Sequence, residues 1–318
     1  MVLTLAGGAW LAYFLLSPVA LPVTPFEFNV KAGTTMKGVA HQLAQSGLLP
    51  QPLTFTLAAR LSGKGSALKA GNYVLDTALT PWDLLQKLTK GDVTQNEFKF
   101  IEGWNFKQLR QALNNAPGVQ HDTQGLSDAE IMAKLGWPNQ HPEGRFFPDT
   151  YFFSTGMSDL MLLARAHKLM QTQLEGAWRD RAPDLPYASM DDALIMASII
   201  EKETGQAAER PMIAGVFINR LRIGMLLQTD PTVIYGVGEH YDGNLHKRDL
   251  QTDTPYNTYT RAGLPPTPIA MPGLEAIRAA LNPAQTQALY FVARGNGTHQ
   301  FSNSLAQHNQ AVNRYQRK

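Results

Sequence analysis

The stretch "ASIIEKETGQAAERP", Ala197 to Pro211, carries two glutamates two residues apart, Glu201 and Glu203, at the end of a run that is otherwise suited to burial. On a helix, residues three, four and seven positions apart share a face. Glu203 therefore falls in line with Ile200, Ile199 and Met196, in the middle of the apolar stripe, while Glu201 and Lys202 fall to its sides. Leu194, seven residues before Glu201, is the exception to this partition. A carboxyl group among apolar neighbours loses the hydration of its charged form, so its pKa rises, as a general acid working near neutral pH requires. Two structural readings compete with a catalytic one: Glu203 pairs with Arg210 or Arg220, or Gly205 ends the helix and leaves the glutamate in water.

Downstream, "PMIAGVFINRLRIGMLLQTDPTVIYG" predicts a helix begun by Pro211 and ended near Gly224, followed by Gln228, Thr229 and Asp230 in a strand-to-turn context. Further on, Tyr256, Asn257, Thr258 and Tyr259 stand beside a loop rich in Gly and Pro, Gly263 to Pro268. Aromatic faces interleaved with amides and hydroxyls suit a sugar groove, the rings covering pyranose CH surfaces and the polar groups meeting hydroxyl and acetamido substituents. Tyr235 and Tyr259 can equally be core residues. The eight histidines include no His-Glu-x-x-His pair and no metal-spaced cluster with carboxylates, and there is neither a nucleophile elbow nor a phosphate-binding glycine loop. No metal and no cofactor is expected. His299 and His308 read as surface or packing residues.

These residues need elements to hold them. "SMDD" at Ser189 to Asp192 is a capping box that starts the helix leading into the two glutamates. Before it, "LMLLARAHKLMQTQLEGAW" sets Leu162, Ala166, Leu169 and Met170 on one helical face, and "EGRFFPDTYFFS" reads as a loop or short strand that gathers Phe146, Phe147, Tyr151 and Phe152. Nearer the N-terminus a strand, a turn and an amphipathic helix recur three times, in "FEFNVKAGTTMKGVAHQLAQSG", "GNYVLDTALTPWDLLQKLTKG" and "EFKFIEGWNFKQLRQAL". Thr34 or Thr35 can cap the first helix, and Thr80 before Pro81 the second. The first 23 residues hold no charged side chain, the first being Glu27, and are long enough to span a bilayer as a helix.

An α+β organisation follows: a transmembrane anchor over residues 1–23, a small strand and helix module over 24–95, and a larger mixed α/β catalytic domain over 96–318. The 28 basic and 26 acidic side chains, with no long basic run, give no footprint for nucleic acid. The absence of cysteine excludes disulfides and thiolate metal sites.

The module from about Phe26 to Gly91 resembles a LysM-like fold, which implies glycan holding. On "SIIEKET", "ERPMIAGVFINRLRIGMLLQTDPTVIYG", "YNTYTRAGLPPTPIA" and "HNQAVNRY", nearly the whole chain resembles the YceG-like family of endolytic murein transglycosylases. That resemblance implies Glu203 as catalytic acid and base, with Gln228, Thr229, Asp230, Tyr256, Asn257, Thr258 and Tyr259 as groups that bind and orient sugar. The implied reaction breaks the β-1,4 bond between N-acetylmuramic acid and N-acetylglucosamine without water and leaves a 1,6-anhydro end, the substrate's acetamido group standing in for a second carboxylate. It also implies nascent peptidoglycan strands as substrate, membrane-bound synthases as partners, and a single-pass protein of the bacterial inner membrane whose soluble body is periplasmic. A peptidoglycan-binding protein that does not cleave is the alternative.

Overall fold

The computed structural model describes residues 2–31, 33–91, 96–153 and 156–316. It is a mixed α/β chain whose sheets, among the described residues, are two-stranded, and it divides into two compact units: Met1–Phe98 with Ala116–Asp122 and Thr150–Met161, and Lys99–Asn115 with Thr123–Asp149 and Leu162–Lys318.

The first unit opens with α1 (Val2–Leu16), followed by β1 (Phe26–Val30), α2 (Met36–Gln45), α3 (Pro52–Leu61), β2 (Gly71–Leu75) and α4 (Pro81–Lys90). Strands β1 and β2 pair antiparallel, Phe26 opposite Leu75 and Val30 opposite Gly71. In β1 alternate side chains, Phe26, Phe28 and Val30, turn into a core that also takes Val39 and Leu43 of α2, Phe55 of α3 and Leu84, Leu85 and Leu88 of α4. Thr35, not Thr34, caps α2 by accepting the amide of Gly38, and Thr80 caps α4 with Pro81 in its first turn. Gly91 closes α4 at φ 76°, a left-handed conformation that glycine adopts without a Cβ clash. Helix α3, which the recurring pattern does not include, packs against α2 and adds Phe55 and Ala59 to the same core. The unit is completed by β3 (Asn96–Lys99) paired with β5 (Thr150–Phe153), and by β4 (Val119–Gln120), parallel to β6 (Met157–Ser158).

The expected membrane span over 1–23 is not one continuous helix. Helix α1 has 15 residues, about 22 Å at 1.5 Å per residue, against a hydrocarbon layer of about 30 Å. It stops where Ser17 precedes Pro18, because the proline ring disfavours helical backbone at the residue before it. Phe14 is buried in the core of the unit, whereas Trp10, Tyr13 and Leu16 are exposed. No described helix is long and apolar enough to cross a membrane.

The second unit holds α5 (Phe106–Asn114), α6 (Asp128–Lys134), most of α7 (Asp159–Arg179), α8 (Met190–Glu203), α9 (Arg210–Arg222), α10 (Asp230–Val237), α11 (Lys247–Gln251), α12 (Leu274–Leu281), the antiparallel hairpin of β7 (Tyr290–Ala293) and β8 (His299–Ser302), and α13 (Leu305–Tyr315). Helix α8 runs through its centre. Every residue from Ala193 to Ile200 is buried, packed against Ile213, Ala214 and Phe217 of α9 and Ala276, Ile277 and Ala280 of α12. The capping box expected at Ser189 and Asp192 is present. On α9, Gly215 faces the carbonyl of Ala284 so closely that a Cβ would lie 2.7 Å from that oxygen. The segment 284–289 can therefore lie along α9, where Asn219 donates to the carbonyls of Thr286 and Ala288.

One buried carboxylate here is structural. Glu143 is 3% exposed, accepts the Phe106 amide at the start of α5 on both oxygens at 3.1 Å, and takes a further hydrogen bond from the Tyr235 hydroxyl at 3.0 Å. Burial nevertheless pushes its pKa up to about 7. Between about pH 4.5 and 7 the folded form thus holds a proton that the unfolded chain has released, and stability falls as pH rises through that window and levels off above it. Glu143→Gln removes this contribution. The difference in unfolding free energy between parent and variant, followed by urea titration at several pH values, is expected to move in favour of the variant by on the order of 3 kcal/mol across the window.

Candidate active site

Both glutamates of α8 are largely enclosed whereas Lys202 between them is exposed, and their neighbours distinguish them. The side chain of Glu201 is 7% exposed; it receives the Arg210 guanidinium at 3.3 Å and the amide of Gly273, which starts α12, at 3.0 Å. It fastens three helices together. Burial raises its pKa, partly offset by Gly273 and Arg210. Arg210, offered by the sequence as a partner for Glu203, is thereby engaged elsewhere.

Glu203, at the last turn of α8, opens instead onto a cleft of about 420 Å³. One carboxylate oxygen accepts the hydroxyl of Thr229, which is 2% exposed. Burial pushes the pKa of Glu203 up to about 7; the Thr229 hydrogen bond opposes the rise, the charge of Asp230 adds to it, and His299 and Arg220 oppose it. A carboxyl group poised in this way is half-protonated at neutral pH and can give up its proton to a neighbouring oxygen.

Gln228, Asp230 and Tyr259 line the same cleft. The strand-to-turn context expected for residues 228–230 is a loop that runs directly into α10, with Thr229 as its N-cap residue and Pro231 in the first turn. Gln228 sits in the left-handed region at φ 48°, uncommon for a residue with a side chain, and its amide is tied to the carbonyl of Thr258 at 3.0 Å. The Tyr259 hydroxyl donates to Asp230 at 2.5 Å, so the aromatic ring and the acid stand together at the rim.

Tyr256, Asn257 and Thr258 support the cleft from behind and do not line it. Asn257 is fully buried, donates to the carbonyls of Asp249, Leu250 and Thr252, and accepts the Tyr259 amide at 2.9 Å. Thr258 accepts the Thr229 amide at 3.1 Å and shares a hydrogen bond with the Thr232 hydroxyl at 2.9 Å. Tyr256 bonds Thr267 at 2.8 Å and packs edge-on to Tyr235. Between them these residues fix the backbone that carries Thr229 and Tyr259.

Sequence reasoning offered Arg220 only as an ion-pair partner for Glu203 and did not place Arg220, His299 or His308 in a cleft. Arg220 lines the cleft with its guanidinium held by the carbonyls of Leu289, at 2.7 Å, and Leu227, also at 2.7 Å, and lies over the ring of Tyr290. His299 and His308, read from sequence as surface or packing residues, line it as well. The signals available were the polar ends of "NRLR" and "HQFSNSLAQHN". No periodicity joins them, because they come from a helix, a hairpin and the last helix.

The role of Thr229 can be tested separately. Its hydroxyl stabilises the carboxylate form of Glu203, so Thr229→Val should raise the pKa of Glu203 further. The alkaline limb of activity is then expected to move to higher pH by on the order of one unit, seen as a shifted pH profile of kcat. An unmoved limb would mean that this hydrogen bond is not made by the working enzyme.

Compared with known proteins, residues 28–314 match the YceG-like family. The chain is 33% identical to the endolytic murein transglycosylase of Bacillus subtilis (strain 168), over 97% of its own length and 90% of that protein. It is 26% identical to the endolytic murein transglycosylase of Streptococcus pneumoniae serotype 2 (strain D39), over 91% of its own length but 59% of that longer protein. The crystal structure of a yceG-like protein from Listeria monocytogenes superposes with a TM-score of 0.58 at 29% identity, covering 90% of this chain and 98% of that one.

Proposed function

The chain belongs to the YceG-like family, and we propose that Glu203 is the acid with which it carries out endolytic cleavage of peptidoglycan strands. The observation that carries this reading is a carboxyl group with a pKa near 7 that opens onto a cleft, held by one hydroxyl and not by a salt bridge. Protonated Glu203 donates to the oxygen of the β-1,4 bond between N-acetylmuramic acid and N-acetylglucosamine. The muramoyl 6-hydroxyl attacks the anomeric carbon, and a 1,6-anhydro end results without consumption of water. Once deprotonated, Glu203 is itself a base able to take up the proton of that hydroxyl. Gln228, Asp230 and Tyr259 are the groups of the cleft that meet the sugar, and Arg220 is its fixed cation.

Other features support a place at the bacterial cytoplasmic membrane, and a peptidoglycan substrate would put the body on its outer side. The N-terminal 23 residues carry no charge, and α1 exposes Trp10, Tyr13 and Leu16. The β1–β2 pair with its helices supports a LysM-like unit that holds glycan, and nascent strands in turn imply synthases nearby.

The test is mass spectrometry of products from uncrosslinked glycan strands incubated with the full chain and with Glu203→Gln. Anhydro-ended fragments from the parent alone are expected. Reducing ends would make the protein a hydrolase, and intact strands after incubation with the parent would leave only a binding role.

A further inference from the structure

The geometry points to His299, oriented by Glu209, as the group that takes the proton of the attacking sugar hydroxyl, so that acid and base are two side chains. This inference rests on the reading of Glu203 as the acid. His299 opens β8, and Glu209 lies in the short turn that joins α8 to α9. One oxygen of Glu209 accepts the His299 amide at 2.9 Å and the other meets Nδ1 of the ring at 2.7 Å. The two side chains are 13% and 17% exposed. Phe291 packs perpendicular to the imidazole, with ring centres 5.4 Å apart, and Phe301 lies at 6.5 Å. The ring is thus gripped at one edge and packed by aromatics, which fixes both its orientation and its tautomer: a carboxylate at Nδ1 keeps the proton there and leaves Nε2 as an acceptor.

Nε2 has no hydrogen-bond partner among the described residues, and His299 lines the cleft onto which Glu203 opens. Glu203 is near enough to respond to its charge. This is the arrangement of a general base with an orienting carboxylate behind it, the carboxylate also stabilising the imidazolium that forms. The other ionisable groups facing this cleft are Glu203 on α8, Arg220 on α9, Asp230 at the start of α10, Tyr259, Tyr290 on β7 and His308 on α13.

The step balances without a co-reactant. Glu203 gives its proton to the departing oxygen, which keeps the electron pair of the broken C1–O bond. The substrate's acetamido oxygen bonds C1 from the opposite face as that bond breaks; the 6-oxygen then displaces it to form the new bond to C1, and its proton passes to Nε2 of His299. A carboxylate and an imidazolium remain in one cleft, and return of the proton from His299 to Glu203 restores both groups for the next cut. The departing oxygen and the 6-hydroxyl meet C1 on the same face, and a base separate from Glu203 takes the hydroxyl proton without Glu203 having to serve both oxygens in turn.

The full chain and its His299→Ala, His299→Gln, Glu209→Gln and Glu203→Gln variants, each checked for native circular dichroism, would be compared on uncrosslinked strands. His299→Ala is expected to lose roughly 10²–10⁴-fold in kcat with KM little changed, and to recover part of it when free imidazole is added. Glu209→Gln is expected to lower kcat with KM unchanged and to shift the acidic limb of the pH profile, which a purely structural role would not do. His299→Gln, which keeps an amide for Glu209, carries the test if the alanine variant does not fold, and is expected to lose the acidic limb. Activity of folded His299→Ala or His299→Gln within about threefold of the parent, or a deep loss that imidazole leaves unchanged with the acidic limb intact, overturns the inference. An inactive Glu203→Gln beside an active His299 variant sinks this inference alone. An active Glu203→Gln sinks the assignment of the acid itself.

Discussion

Glu203→Gln is expected to lower strand cleavage by roughly 10²–10⁴-fold while the protein stays folded, and above pH 7 it should become somewhat more stable. The amide keeps the shape of the carboxyl and can still accept the Thr229 hydroxyl, but it has no acidic proton to give. The stability gain follows from the sign of the pKa shift. With the folded value pushed up to about 7, the parent holds a proton that its unfolded chain releases above about pH 4.5, so ionisation disfavours the native state progressively up to neutrality. The variant has no such charge to bury. Product analysis and a urea titration at pH 8 on the same samples check both halves. A matching loss of activity and stability would instead mean that Glu203 is a structural residue. In the parent, the acid form is lost above about pH 7 and cleavage should decline with it, tenfold per pH unit once well past the pKa.

Glu201→Gln is expected to do the reverse, lowering stability by about 3–5 kcal/mol and leaving the folded fraction active. Glutamine can still accept the Gly273 amide, but it leaves Arg210 as an uncompensated charge in a site where its Nε already lacks a partner. A loss of this size is a large share of the 5–15 kcal/mol that holds an ordinary domain folded. The denaturation midpoint measures it, and the double variant Glu201→Gln/Arg210→Met should recover part of the loss, since it removes the stranded charge. Equal loss of specific activity from Glu201→Gln and Glu203→Gln would contradict the division of labour between the two.

Local signals were readable wherever a helix has one wet face and one dry one. Val39 and Leu43 on α2, Leu84, Leu85 and Leu88 on α4, and the caps at Thr80 and Ser189 lie where spacing and capping chemistry put them. The motifs that resemble the YceG-like family also held, with a match over residues 28–314. Other segments resisted for identifiable reasons. The strand-to-turn context expected for residues 228–230 gives way at once to a helix, α10, although Thr232, Val233 and Ile234 are β-branched. Propensity is a weak preference that tertiary packing overrides. The charge-free N-terminus was legible as apolar, but not as a helix halted by Ser17 and Pro18 with Phe14 turned into the core of the first unit.

The two glutamates mark the boundary between what the sequence determined and what the tertiary structure decided. The sequence by itself determined that carboxylates end a helix made for burial, because a run from Ala193 to Ile200 that is apolar but for Ser198 leaves that helix no stable place but the interior. By face it singled out Glu203, but with Ala193 to Ile200 buried on every side that angle has little wet surface to be measured against, and Glu201 is enclosed as well. Their neighbours come from distant parts of the chain: Arg210 and Gly273 for Glu201, and Thr229, Asp230, Arg220 and His299 for Glu203. A carboxylate takes its chemistry from whether a cation or an open cleft meets it, and only folding brings those partners to it.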